Sequence, residues 1–124
     1  MNNTSLENIV LLVVDDEPAI LCSVSHVIKQ YNKEAIIETA MSAEEALEIA
    51  GNRKIDFLIV DYRLPNMSGL ELIKTFKTAG IECQSMIISA YSNSEIESEA
   101  KRLGCKTILK KPFAINQLIE NLPL

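Results

Sequence analysis

Cysteine and histidine are too sparse in this chain to build a site. Cys22, Cys83 and Cys105 are three in number and show neither a C-x-x-C spacing nor a histidine partner, which excludes a disulfide framework and a zinc centre and leaves reduced thiols as the expectation. The single histidine, His26, lies off the apolar stripe of its segment, where a solvated helix position fits better than a phosphate carrier. Apolar runs are short as well. None approaches the roughly 18 residues of a membrane span, and residues 1–8 have neither the basic start nor the apolar core of a signal peptide. A soluble, cytoplasmic protein without membrane contact is expected. Positive charge is also scarce: 12 Lys and Arg against 17 Asp and Glu leave a net charge of −5, with no basic cluster of the kind that phosphate backbones require. Direct contact with nucleic acid is therefore not expected. Repeats, low-complexity tracts and linkers are missing too. The 124 residues suit one core of ordinary size, about 100 to 150 residues, and leave no room for a second folded output domain.

What the chain has is alternation. Short apolar runs at 9–14 (β1), near 35–39 (β2), 57–60 (β3), near 85–88 (β4) and near 107–109 (β5) are separated by segments of helical period, the sequence form of repeated β-α units around a parallel sheet. β1 and β3 are almost wholly apolar, as strands covered on both faces are, which places them centrally. Ile20, Leu21, Val24, Val27, Ile28 and Tyr31 share one helical face (α1, 20–31), as do Ala43, Ala46, Leu47 and Ala50 (α2, 43–50). Ser42 with Glu45, Ser68 with Glu71 and Ser94 with Glu97 fit capping boxes that start α2, α3 (68–80) and α4 (94–104). Gly51, Gly80 and Gly104 fall where those helices should stop in the left-handed conformation. Ile115, Leu118, Ile119 and Leu122 make a short last face (α5, 115–122) closed by Pro123. Tyr31, Phe57, Phe76 and Phe113 are expected in the core or at its edge, and Glu95, Glu97 and Glu99 on a solvated acidic face.

Polar residues end the apolar runs: Asp15 and Asp16 after β1, Asp61 after β3, Ser89 after β4, and Lys111-Pro112 after β5. In an open parallel sheet the carboxyl ends of the strands form one rim, where ligands bind. Three carboxylates, a hydroxyl and an ammonium therefore converge. Crowded carboxylates repel one another unless a cation neutralises them, and a hard divalent cation such as Mg²⁺ takes oxygen ligands of this kind. Asp61 is the candidate nucleophile, since it ends a buried strand and precedes a turn, 65–69, that leaves its carboxylate at the rim.

The segments Leu12-Val13-Val14-Asp15-Asp16-Glu17-Pro18, Val60-Asp61-Tyr62-Arg63-Leu64-Pro65-Asn66-Met67-Ser68-Gly69, Ile88-Ser89-Ala90-Tyr91 and Leu109-Lys110-Lys111-Pro112-Phe113 resemble, in order and spacing, the signature blocks of response-regulator receiver domains. The resemblance spans about the whole chain. It implies an α/β, flavodoxin-like, doubly wound fold with a five-stranded parallel sheet in the order 2-1-3-4-5 and five helices. It also implies a single receiver domain over 1–124, with residues 1–8 as an N-terminal extension. The implied function is two-component phosphorelay signalling, in which Asp61 accepts a phosphoryl group from a histidine kinase or histidine phosphotransfer protein. Mg²⁺ or Mn²⁺ would be held by Asp16 directly, Asp15 through water, one oxygen of Asp61 and the backbone carbonyl of Arg63. Lys111, aimed by a cis bond to Pro112, would meet the phosphoryl group. Ser89 and Ala90 would carry the switch to the α4-β5-α5 face, where an output partner or domain, or a second copy of the chain, binds. Catalysis is confined to the protein's own phosphorylation and dephosphorylation, so it is not an enzyme in the usual sense.

Two positions depart from the family pattern. Ile108 stands where many receivers carry an aromatic residue that swings inward with the switch hydroxyl, and Ser68 replaces the more usual Asp while keeping the N-cap. Arg63 and Tyr91, each two residues beyond a site residue, are expected to flank the approach of a hydrolytic water and so to slow loss of the phosphoryl group. Other classes fit less well. An aspartate-nucleophile phosphatase usually places its second acid two residues after the nucleophile at the end of β1, whereas Asp15 and Asp16 are adjacent. A flavodoxin-like nucleotide binder needs a phosphate cradle after β1, which two acids repel. A phosphorylation-independent interaction domain, a pseudo-receiver, typically lacks a site residue, and none is missing here.

Overall fold

The computed structural model describes residues 9–123; the N-terminal extension expected at 1–8, and Leu124, lie outside them. Five parallel strands run β1 Val10–Val14, β2 Ile36–Ala40, β3 Phe57–Asp61, β4 Gln84–Ser89 and β5 Thr107–Lys110. The helices between them are α1 Pro18–Tyr31, α2 Ala43–Asn52, α3 Gly69–Thr78, α4 Ser94–Arg102 and α5 Ile115–Glu120. The sheet order is β2-β1-β3-β4-β5, the expected topology, with β3 in the middle. β1 and β3 are buried along their whole length.

Because strand side chains alternate between faces, β1 serves two cores at once. Val10, Leu12 and Val14 face α2, α3 and α4, together with Leu58, Val60 and Ile87. Leu11 and Val13 face α1 and α5 with Phe57, Ile59, Met86 and Ile88. At the lower edge, Asp56 accepts a hydrogen bond from the backbone N–H of Val10 (2.9 Å) and fixes where β1 enters the sheet.

Capping explains most helix starts. Ser68 and Glu71 form both halves of a capping box on α3. At α2 only half forms: Ser42 accepts from the Glu45 N–H, while the Glu45 carboxylate turns to the N–H of Met41. At α4 the expected serine cap is displaced by one residue, because Asn93 takes the N-cap and accepts from Ile96. An amide oxygen there reaches the same donor that a hydroxyl would, and Ser94 becomes the first helical residue. Gly80 and Gly104 end their helices at φ +80°, as the sequence suggests. Gly51 does not, since α2 continues through it to Asn52 and caps at Arg53 in extended conformation.

The apolar faces need two corrections. Tyr31 is 62% exposed; it is the last residue of α1, a turn beyond Ile28, the last buried residue of that helix. Ile115 is 61% exposed, and α5 stops at Glu120, so Leu118 and the post-helical Leu122 carry its burial. Phe57 and Phe76 are buried, and Phe113 packs at the core edge. His26 is exposed.

Candidate functional site

Strand register builds the site. Val14 pairs with Val60 and Asp61 with Ile88, so Asp15 emerges beside Asp61 at the carboxyl rim. Ser89 pairs with Lys110, and the next residue, Lys111, is held over the rim by a bond from its N–H to the Ser89 carbonyl (2.8 Å). The Lys111–Pro112 peptide bond is cis.

Lys111 is the hub. Its ammonium donates to Asp15 (3.2 Å), Glu17 (2.9 Å) and Asp61 (3.0 Å), which occupies all three of its N–H donors. Burial works against that charge, but the bonds to Glu17, Asp61 and Asp15 outweigh it and hold the Lys111 pKa above its usual value. The two buried carboxylates are also pinned by backbone. Oδ1 of Asp15 accepts from the N–H of Glu17 (2.9 Å), and Oδ1 of Asp61 from the N–H of Arg63 (3.2 Å), the two-residue turn that aspartate commonly makes with its own chain. Asp15 is only 1% exposed. Burial, with the neighbouring Asp61 charge, raises its pKa despite the Glu17 N–H and Lys111.

Asp16 is exposed beside them. Carboxylate oxygens of Asp15, Asp16 and Asp61 lie within 4.8 Å of one another. This all-oxygen set, two members buried and one open to solvent, fits a hard divalent cation that keeps some of its water. A cation there would relieve the crowding that raises the Asp15 pKa.

The turn after β3 brings the chain close. Gly69 donates to the Tyr62 carbonyl at 2.7 Å, and a Cβ on Gly69 would stand 2.6 Å from the Asp61 carbonyl oxygen. Only glycine allows α3 to start this near the acid.

Ser89, 2% exposed, turns its hydroxyl onto its own loop. It donates to the Tyr91 carbonyl and accepts from the Tyr91 N–H (3.1 Å). Ala90, exposed, lies between them. Ile108 packs, half-buried, on the α2-α3-α4 core. Arg63 and Tyr91 are both exposed at the rim. Beside the site, a groove of about 720 Å³ opens between α1 and α5, lined by Ile20, Val24, Phe113, Ile115 and Leu118 and reaching Lys111.

The sequence pattern brings Asp15, Asp16, Asp61 and Lys111 together as expected, but it gave no role to Glu17. The available signal was its place in the run Asp15-Asp16-Glu17, two residues past a buried acid and directly before the helix.

Comparison with known proteins agrees with this geometry. The model of the response regulator receiver domain family matches residues 11–123, and the chain belongs to that family. Among its relatives is sporulation initiation phosphotransferase F of Bacillus subtilis, 31% identical over 87% of this chain and 86% of that protein. Another is the transcriptional regulatory protein YesN of the same organism, 32% identical over 90% of this chain but 31% of that protein. The chain thus spans most of one relative and less than a third of the other. Among solved structures, the chemotaxis response regulator of Vibrio cholerae superposes with a TM-score of 0.82 at 28% identity, over 91% of this chain and 94% of that one. Family membership makes the chain a two-component response-regulator receiver domain, a class that generally serves signalling. Among the described residues, no helix is long and apolar enough to cross a membrane.

Proposed function

We propose that the chain is a phosphorylation-dependent switch in which Asp61 takes a phosphoryl group from a phosphohistidine on a histidine kinase or histidine phosphotransfer protein. The observation that supports it best is the contact of Lys111 with Asp61 at 3.0 Å beside the Asp15 and Asp16 carboxylates. The Oδ2 oxygen of Asp61, released by Lys111 as that ammonium turns to the incoming phosphoryl group, attacks phosphorus, an acyl-phosphate O–P bond forms, and the P–N bond to the imidazole breaks. The imidazole nitrogen takes up a proton as it leaves. Phosphoryl transfer asks little of the protein beyond in-line positioning and neutralised oxygens. Asp15, Asp16, Asp61 and the Arg63 carbonyl would hold Mg²⁺ or Mn²⁺, which supplies positive charge to the phosphoryl oxygens. Lys111 donates to another of those oxygens. The apolar groove between α1 and α5 lies where a donor helix would bring its histidine to the rim.

The response begins at Ser89. Its hydroxyl leaves the Tyr91 carbonyl for a phosphoryl oxygen and draws Ala90 and the β4-α4 loop with it, a two-state element biased by one new charge. Ile108 has no ring to swing, so the change reaches the α4-β5-α5 face through the loop. That face then binds an output partner or domain, or a second copy of the chain, in the cytoplasm. Residues 1–124 act as one receiver module. Intact-mass measurement after incubation with a small phosphoryl donor tests this reading. One adduct that requires both Mg²⁺ and Asp61, lost in Asp61→Asn, is expected. No adduct, and no response to beryllofluoride, would instead favour a phosphorylation-independent interaction domain.

A further inference from the structure

We propose that Glu17 is a positioning residue that sets the balance between cation and phosphoryl group at the rim, acting through Lys111. This rests on the phosphoacceptor reading of Asp61.

Three carboxylates share the Lys111 ammonium, and they are held very differently. Asp15 is buried and fixed by the Glu17 N–H; Asp61 is buried and fixed by the Arg63 N–H. The Glu17 side chain is 61% exposed, and among the described residues its carboxylate has no hydrogen-bond partner other than Lys111. Its backbone, in contrast, cannot drift. The Glu17 N–H is bound to Asp15, and its carbonyl accepts from Ile20 and Leu21 to open α1. The carboxylate is therefore tethered beside the rim on a solvent-exposed stem, at the shortest of the three distances to Lys111.

The consequence is electrostatic. With Glu17 the rim holds four carboxylates, Asp15, Asp16, Glu17 and Asp61, against one ammonium. Without the Glu17 charge it holds three. A divalent cation gains from the fourth negative charge. A phosphoryl group loses by it twice: it meets one more anion, and it must compete for a Lys111 whose donors are all taken. Because Glu17 is largely solvated, each effect is that of a surface charge, about two- to fivefold in affinity and smaller at high salt. Mg²⁺ and the phosphoryl group respond in opposite directions. Loss of packing or of fold would weaken both.

The test uses the wild-type chain, Glu17→Gln, Glu17→Asp and, as a control, Glu34→Gln, an exposed acid in the loop before β2 at the opposite end of the sheet. Backbone-amide NMR follows two titrations, Mg²⁺ alone and beryllofluoride at saturating Mg²⁺. Glu17→Gln, which keeps the side chain's shape but not its charge, is expected to weaken Mg²⁺ about two- to fivefold and tighten beryllofluoride by a similar factor. Glu17→Asp keeps the charge and is expected to restore wild-type Mg²⁺ affinity; Glu34→Gln is expected to match wild type in both titrations. Shifts of Glu17→Gln in the same direction, or none, overturn the proposal. Wild-type protein that binds Mg²⁺ but no beryllofluoride overturns the phosphoacceptor reading and this inference with it. If wild type binds both and Glu17→Gln is unchanged, this inference alone fails.

Discussion

Adding one methyl group at Gly69 should damage the fold and the acid site together. The new Cβ would sit 2.6 Å from the Asp61 carbonyl oxygen and 3.2 Å from the Asp61 carbonyl carbon and Tyr62 Cα. All three are backbone atoms, so no side-chain rotation relieves the clash. β3 cannot give way either, since it pairs with β1 on one side and β4 on the other. The strain must fall on α3, whose first turn is fixed by the Ser68 and Glu71 capping box and by the 2.7 Å bond from Gly69 to Tyr62. Overpacking of this kind costs about 1–3 kcal/mol, which for a domain of this size lowers Tm by roughly 4–12 °C. Gly51→Ala is the matched control. Nothing lies within 4 Å of a Cβ there, and the residue is helical, so alanine should stabilise by about 0.5–1 kcal/mol. Thermal unfolding followed by circular dichroism reads both variants. Gly69→Ala melting within a degree of wild type would refute the close approach of α3 to Asp61. With the clash confirmed, phosphorylation of that variant should slow as well, because the displaced turn carries the Arg63 N–H that orients the carboxylate.

Lys111→Met leaves Asp15 and Asp61 buried without their cation and should cost about 3–5 kcal/mol in urea unfolding at neutral pH, much of it recovered with saturating Mg²⁺; an unchanged midpoint without the metal would show that the ion pairs contribute nothing. Cys83 should resist alkylation at pH 8 while exposed Cys22 reacts. Burial first, then the Asp56 charge, push the Cys83 thiol from its ordinary 9.0 up to about 11. The raised value means that this thiol's contribution to stability is intact below pH 9.0 and is lost as pH climbs through about 11, since the unfolded chain ionises first; mass spectrometry of a timed iodoacetamide reaction that finds Cys83 modified as fast as Cys22 would contradict the partial burial of Cys83 against the core. Replacing both Arg63 and Tyr91 with alanine should shorten the life of the phosphoryl group by opening the rim to water, and an unchanged decay rate of the adduct would remove them from that role.

Chain topology was legible in the sequence because burial on two faces leaves an unmistakable imprint: Leu11 to Val14 and Phe57 to Val60 have no exposed side, so they contain no polar residue until the rim. The same logic located Asp15, Asp61 and Lys111, since polarity resumes where the sheet ends. What the sequence hid were choices between near-equivalent donors and acceptors. Asn93 and Ser94 can each cap α4, and one residue of offset decides which oxygen reaches the Ile96 N–H. Gly51 resembles a stop signal, yet α2 has enough packing through Ala43 and Ala46 to run past it. Tyr31 keeps the helical spacing of α1 but is exposed at its last position, one turn past the last buried residue Ile28, and spacing carries no record of where the cover ends. Glu17 was hidden for a different reason. An acid beside two others at a helix start already has a sufficient explanation in the helix dipole, and only the fold, by carrying Lys111 across from β5, gives it a partner ninety-four positions away.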